Sequence, residues 1–238
     1  MKKRQRKDAK ETRRRLLAAA AEVFAEKGFW EATHAEICRK AKANTAAVNY
    51  HFGTKECLYV EAWRHSFEES IRAHPPDGGV PPNAPVEERL RGAVLAMMHR
   101  IVDPNHHEIE IMHKEMANPT GLLTEVLAQA VEPMRQRLRA IVREVLGRGV
   151  SDRQVSFCEM SLMGQCFGPM LHLRRSRMAS ETTGPPGPPV VFGVEELADH
   201  ILRFSLAGMR RIRWERRERK GRGKGPRRQG RSSRQGSS

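Results

Sequence analysis

The most constraining stretch of this sequence is THAEICRKAKANTAAVNYHFGTK, residues 33–55. Thr33 followed by Glu36 has the spacing of a capping box: the hydroxyl accepts the N–H at Glu36, and the carboxylate reaches back to the N–H at Thr33. The helix started in this way carries Ile37 and Ala41 inward and Arg39 and Lys40 outward. Asn44 is a good N-cap for a second helix, TAAVNYHF, because its side-chain oxygen accepts one of the N–H groups left over in a first turn. Thr54 caps a third helix at once. The middle helix is odd as a core element. It starts with small residues, Thr45, Ala46 and Ala47, and has Asn49, Tyr50 and His51 where a buried helix carries Leu or Ile. Small residues let a backbone approach another surface closely, and the polar ones can donate to phosphates and base edges. A helix seated in the major groove of DNA requires both.

At these residues the chain resembles the N-terminal DNA-binding domain of the TetR family of bacterial one-component repressors. The resemblance covers residues 12–58, about a fifth of the chain. It rests on Phe24 with Gly28-Phe29, Ala32-Thr33, Ile37, Ala41, Val48, and the run Tyr50-His51-Phe52-Gly53-Thr54-Lys55-Glu56-Cys57-Leu58. One departure is the turn Ala41-Lys42-Ala43, where the family commonly has Gly in place of Lys42. A lysine takes a left-handed turn conformation at some cost, because its Cβ is crowded there.

The remaining sequence favours an all-α protein of two parts. Only 5% of the 238 residues are aromatic, and β-branched residues are sparse beside Ala, Leu, Glu and Arg. No apolar run approaches the roughly 18 residues that span a bilayer, so the expected location is the cytoplasm. Cys38, Cys57, Cys158 and Cys166 have no zinc-finger or redox spacing; Cys38 and Cys57 are expected on inward faces as buried thiols. The net charge of +15 is concentrated at the ends. Residues 1–15 carry nine Lys/Arg and residues 210–238 carry thirteen, each against two acidic residues, while the body is slightly negative. Polycationic ends attract phosphate backbones independently of sequence. The other reading of the C-terminal one is a solvated tail with no partner.

The expected organisation runs as follows. A mobile basic arm (1–10) precedes a three-helix helix-turn-helix domain (11–73), whose first helix ends at Gly28. Phe29 and Trp30 pack over the apolar cluster, with Trp30 alternatively near DNA. Thr45, Ala46, Ala47 and Asn49 are the residues expected to face base edges, Asn49 by a bidentate contact with adenine; the bland alternative is a surface residue bonded to water. Thr33, at a helix N-terminus, suits a phosphate. The resemblance implies that Tyr50, His51 and Lys55 clamp the backbone across the groove. HPPDGGVPPNAP (74–85) is a loop that no helix survives. Residues 86–209 form a second helical domain, with helices expected over 106–116, 122–146 (kinked or split at Pro133), from Ser151 through Met170, and 194–209. In the last of these, Leu197, Ile201, Phe204 and Leu206 are the apolar positions. A second Pro/Gly break is expected at 176–191, and a disordered basic tail at 210–238 whose first dozen residues can extend the last helix.

His113-Lys114-Glu115-Met116, Pro119-Thr120 and Gly164-Gln165-Cys166 are similar to the C-terminal domain of the CerR/YbiH-like branch of the family. This resemblance implies an effector pocket between helices and a homodimer interface made by 151–173 and 194–209. Gly164 and Gly168 would allow close helix approach, either across that interface or within one chain. Met97, Met116, Met134 and Met163 are candidates for the pocket, because flexible thioethers re-pack around varied ligands; ordinary core filling is the economical alternative. His99, His113, Glu115 and His172 have no HExxH spacing, and no Gly-rich phosphate loop is present, so no catalytic site, metal or cofactor is expected. The expected function is a ligand-released repressor that binds a pseudo-palindromic double-stranded DNA operator as a homodimer. The runner-up is a sequence-indifferent nucleic-acid binder driven by the basic ends.

Overall fold

The computed structural model describes residues 2–181 and 193–222. The described residues contain α1 (Lys2–Glu31), α2 (His34–Ala41), α3 (Thr45–Phe52), α4 (Lys55–Ala73), α5 (Val86–Val102), α6 (Glu108–Ala117), α7 (Thr124–Leu146), α8 (Asp152–Glu181) and α9 (Val194–Arg222), and no strand. The fold class is all-α, with a helix-turn-helix head followed by a helical body. No helix among the described residues is long and apolar enough to cross a membrane.

The head closes around Leu16, Ala20 and Phe24 of α1, Ile37 of α2, Val48 of α3, and Leu58 and Ala62 of α4, all fully buried. Each large apolar side chain withdrawn from water in this way stabilises the fold by roughly 1.5–3 kcal/mol. Gly28, at φ 77° and ψ −179°, breaks α1. The turn after it folds Phe29 back onto Phe24 and Tyr59, with ring centroids 6.4 and 5.2 Å apart. A second core joins α5, α7, α8 and α9 around Leu90, Met98, Val142, Leu146, Leu162 and Ile201. The border between head and body is not clean, because Ile111 of α6, Leu123 and Val126 belong to the head's core.

One face of α4 fastens head to body with a row of polar bonds about one turn apart. The Tyr59 hydroxyl donates to Glu115 Oε2 (3.1 Å), and Trp63 Nε1–H donates to the Glu108 carbonyl (3.1 Å). Ser66 Oγ accepts the His107 N–H (2.7 Å), and Ser70 Oγ accepts Arg100 Nε–H (3.1 Å). Glu115 is held in turn by the N–H and hydroxyl of Thr120 and the N–H of Gly121. All four α4 residues are buried, so each bond closes polar groups that water cannot serve.

Several expectations need correction. The segment expected as an arm, 1–10, is helical from Lys2, because a run of Lys, Arg, Gln and Ala without Gly or Pro continues α1. Cys57 is exposed, not inward; with Thr54 as N-cap, the inward stripe runs through Leu58, Tyr59, Ala62 and Trp63 instead. Pro133 does not split α7. It sits on the solvent face, where water can serve the carbonyl that its missing N–H leaves free. Helix α8 runs past Pro169 to Glu181, into the expected break; residues 182–191 of that break lie outside the described residues. Phe204 is 66% exposed, off the inward stripe of Ala198, Ile201, Ser205 and Met209. The last helix does extend into the tail, to Arg222, as its first dozen residues allowed; what was not expected is that Arg213 and Arg216 donate to the carbonyls of Val145 and Leu146 (both 3.3 Å), satisfying the C-terminal end of α7. Residues 223–238 lie outside the described residues.

Candidate DNA interface and regulatory cavity

The expected capping box forms. Glu36 N–H donates to Thr33 Oγ1 (3.3 Å), and Thr33 N–H donates to Glu36 Oε2 (3.3 Å). Lys27 pairs with Glu36 from α1, and that bond is the main reason its carboxyl sits below the ordinary range. The Thr33 hydroxyl also donates to Glu36 Oε2 (3.1 Å). Thr33 is exposed, yet its own two donors are committed; α2 keeps for an anion only the N–H groups of the turn that follows. Helix α2 ends with Lys42 left-handed at φ 50°, ψ 49°. Ala43 N–H reaches Cys38 O (2.9 Å) and Lys42 N–H reaches Arg39 O (3.2 Å), the double bond of a Schellman turn.

This turn aims α3. Asn44 Oδ1 accepts the Ala47 N–H (2.8 Å), while Val48 and Phe52 press inward at 0% and 7% exposure. The opposite face stands out: Thr45, Ala46 and Asn49 are exposed, and Tyr50 is 80% exposed. Ala47, expected to face bases, is instead half-buried and packs against the head core, because it lies beside Val48 on the helix surface. His51, on the same flank, is half-buried with Tyr50 at 4.9 Å edge-on. Lys55 lays its ammonium over the Phe29 ring, 4.6 Å from the centroid, and burial lowers its pKa from the usual value. Trp30 is 62% exposed and stacks edge-on against the same ring at 5.2 Å, so it flanks Lys55 rather than closing the core.

The body holds a cavity of about 600 Å³ between α5, α7 and α8, under the loop at 76–82. Met97, Met134 and Met163 line it, together with Val94, Leu138 and Leu162. Met116, the fourth methionine expected there, is 62% exposed on α6 and is not among its walls. The position has no inward face to fill, since α6 turns Ile109, Ile111 and Glu115 inward instead. Sequence reasoning missed the cavity's most consequential residue. Arg100, 5% exposed, lines the cavity, donates to Glu108 Oε1 (3.0 Å from Nη2) and to Ser70 of α4, and sits 5.3 Å over the Phe67 ring. The pair with Glu108 joins residues eight apart on two helices. No local spacing distinguishes Arg100 from the other arginines of α5.

Comparison with known proteins bears on both regions. The family described as bacterial regulatory proteins, tetR family, matches residues 16–62. The C-terminal domain of the HTH-type transcriptional dual regulator CecR matches 86–209, more than half of the chain. The chain belongs to the TetR family. Among the relatives of this TetR-family chain are the HTH-type transcriptional regulators SrpR and TtgW, both of Pseudomonas putida. SrpR is 29% identical over 60% of the chain, which spans 64% of SrpR's length. TtgW is 31% identical over 56% of the chain and 95% of its own. A solved transcriptional regulator from Pseudomonas aeruginosa shares the fold at a TM-score of 0.64 and 18% identity, over 86% of this chain and 92% of that one. The TetR-family PfmR of Thermus thermophilus does so at 0.58 and 20%, over 81% and 97%. This TetR-family protein is a DNA-binding transcriptional regulator, not an enzyme.

Proposed function

We propose that the protein is a homodimeric repressor that leaves a pseudo-palindromic operator when a small molecule enters the cavity among α5, α7 and α8. Thr45, Ala46 and Asn49 read base edges, while Tyr50, His51, Lys55 and the start of α2 at Thr33 hold phosphates. The observation that carries the ligand-released part is Arg100. One guanidinium both lines the cavity and bonds Ser70 near the end of α4, the helix that leads out of the head. A ligand that favours a different Arg100 position favours a different α4 position, and a coupling of about 1–3 kcal/mol is enough to change occupancy of the operator.

Dimerisation through 151–173 and 194–209 is supported by large apolar side chains that the described residues leave mostly in solvent. Phe157, Met160 and Phe204 are 47%, 67% and 66% exposed. A Cβ built at Gly164, Gly168 or Gly208 meets no described atom within 4 Å, so crowding by the described residues does not account for these glycines. Repression follows relatives rather than geometry: NicS of P. putida is named a repressor, and CecR a dual regulator. A protein working on such an operator acts in the cytoplasm.

The deciding experiment is selection of bound sequences from a random duplex pool with the full chain. An inverted repeat with half-sites about one helical turn apart is expected. Recovery of no enriched sequence, with affinity collapsing as salt rises, would replace this reading with sequence-indifferent binding by the basic ends.

A further inference from the structure

Apart from the reading helix and the cavity, three side chains from three elements turn ligand-type atoms toward one point. His74 caps the end of α4, Asp103 caps the end of α5, and His106 lies in the loop before α6. His74 Nε2 is 2.8 Å from Asp103 Oδ2, and His106 Nδ1 is 3.0 Å from the same oxygen. The three atoms all lie within 4.8 Å of one another. Their orientation is fixed from outside. Asp103 Oδ1 accepts the backbone N–H of Asn105 (2.9 Å) and its side-chain amide (2.8 Å), which sets the plane of the carboxylate. The His74 ring stacks on His99 with centroids 5.7 Å apart. The three side chains are 26%, 14% and 12% exposed. Burial works against the charge of Asp103, but the Asn105 and histidine donors outweigh it and hold the carboxyl well below its usual range.

We propose that His74, Asp103 and His106 bind a first-row divalent cation of the zinc type, with water as the fourth ligand. Two imidazoles and one carboxylate suit zinc and its neighbours, whereas calcium and magnesium take oxygen ligands. Donor atoms around a tetrahedral zinc with bonds of about 2.0–2.1 Å stand roughly 3.3 Å apart. The observed 2.8 and 3.0 Å therefore widen by a few tenths of an ångström, within reach of side-chain rotation. The ion takes the place of the protons that the two rings present to Oδ2. Each neutral ring then takes its other tautomer, giving up the proton that faced Oδ2 to solvent and taking one from solvent on the nitrogen turned away, so the lone pair faces the ion; Asn105 supplies the outer hydrogen bonds that such sites use. A groove of about 870 Å³, lined by His106, Asn105, Glu69 and His65 with Arg14, Arg15, Lys40 and Lys42 farther along it, opens on the His106 side of the cluster. Bound at the cluster, the ion ties the last turn of α4 to α5 and the loop before α6. Any effect of that tie on DNA rests on the regulator reading; the binding itself does not.

The test is titration of the full chain with Co²⁺ in the absence of DNA, then displacement by Zn²⁺. One equivalent per chain with a tetrahedral ligand-field spectrum is expected. His74→Gln and His106→Gln should each weaken binding at least about tenfold, and His200→Gln, at an exposed position on α9, should change nothing. Unchanged metal-free melting shows that the variants fold; Asp103→Asn, which keeps the size and the oxygen that accepts from Asn105 while removing the charged ligand oxygen, serves if they do not. Substoichiometric binding, or equal affinity in the ligand variants, overturns the site. Metal bound as expected by a protein that selects no operator would leave the site standing and remove the regulator reading.

Discussion

Lys42 is the described residue other than glycine with a positive φ, and it stands in the turn that aims the reading helix. The left-handed conformation costs an L-residue roughly 1–2 kcal/mol, part of which glycine's greater chain entropy would offset. Lys42→Gly should therefore raise stability by about 1 kcal/mol, seen as a melting temperature roughly 2–4 °C higher; an unchanged or lower value would mean the lysine side chain supplies compensation. At Asn49 the expectation is positional. Asn49→Ala should relax preference at one base pair by about 1–3 kcal/mol, whereas Lys55→Ala should weaken all sequences alike, both read by competition binding on a set of single-base operator variants. Equal loss on every duplex for Asn49→Ala would assign base reading to another side chain. The residue-level features legible in the sequence were those made by neighbours three apart: Thr33 with Glu36, Asn44 with Ala47, Thr54 with Cys57. Arg100 with Glu108, and Asp103 with His74, become neighbours only when α4, α5 and α6 meet; Asp103 and His106 are three apart, but that spacing says nothing of the third side chain that joins them.

At the scale of elements, the row of bonds along α4 makes that helix the fastener between head and body. Tyr59 and Ser70 are eleven residues apart, about 16 Å along the axis, and hold different partners. Tyr59→Phe removes a bond to a buried carboxylate, and a loss of about 1.5–3 kcal/mol is expected; Ser70→Ala, which leaves Arg100 bonded to Glu108, should cost about 0.5–1.5 kcal/mol. In urea unfolding the double variant should show the sum to within about 0.5 kcal/mol. A large departure from additivity would mean that the fasteners act as one cooperative unit. Helix order was readable from apolar stripes and caps, and so was an extension of α9 past Met209, but the outer end of α1 was not. A run of Lys and Arg carries no apolar stripe, so the helical segment starting at Lys2 resembles a solvated arm, and the one ending at Arg222 has no visible anchor until Arg213 and Arg216 are seen on the carbonyls of α7.

For the whole molecule, the exposed row of Phe157, Met160 and Phe204 sets an expectation for assembly. Phe204→Glu would put a charge into a paired interface while leaving the isolated fold undisturbed, since the side chain touches solvent in the single chain. Sedimentation should then report a monomer where the parent sediments as a dimer, and operator affinity should fall as the second head is lost; an unchanged dimer would move the interface elsewhere. The arrangement of Arg100 has a consequence for anyone re-tooling this protein as a sensor. On the proposed reading, the guanidinium that would meet an incoming compound is the one that grips the serine at the base of the reading head, so altering the chamber's taste would also reset how firmly the resting protein holds its promoter. Selectivity and leakiness would not be dialled independently through that wall, and variants sought for a new inducer are better drawn from the Met97 and Met163 side, since Met134 itself accepts a bond from Arg100.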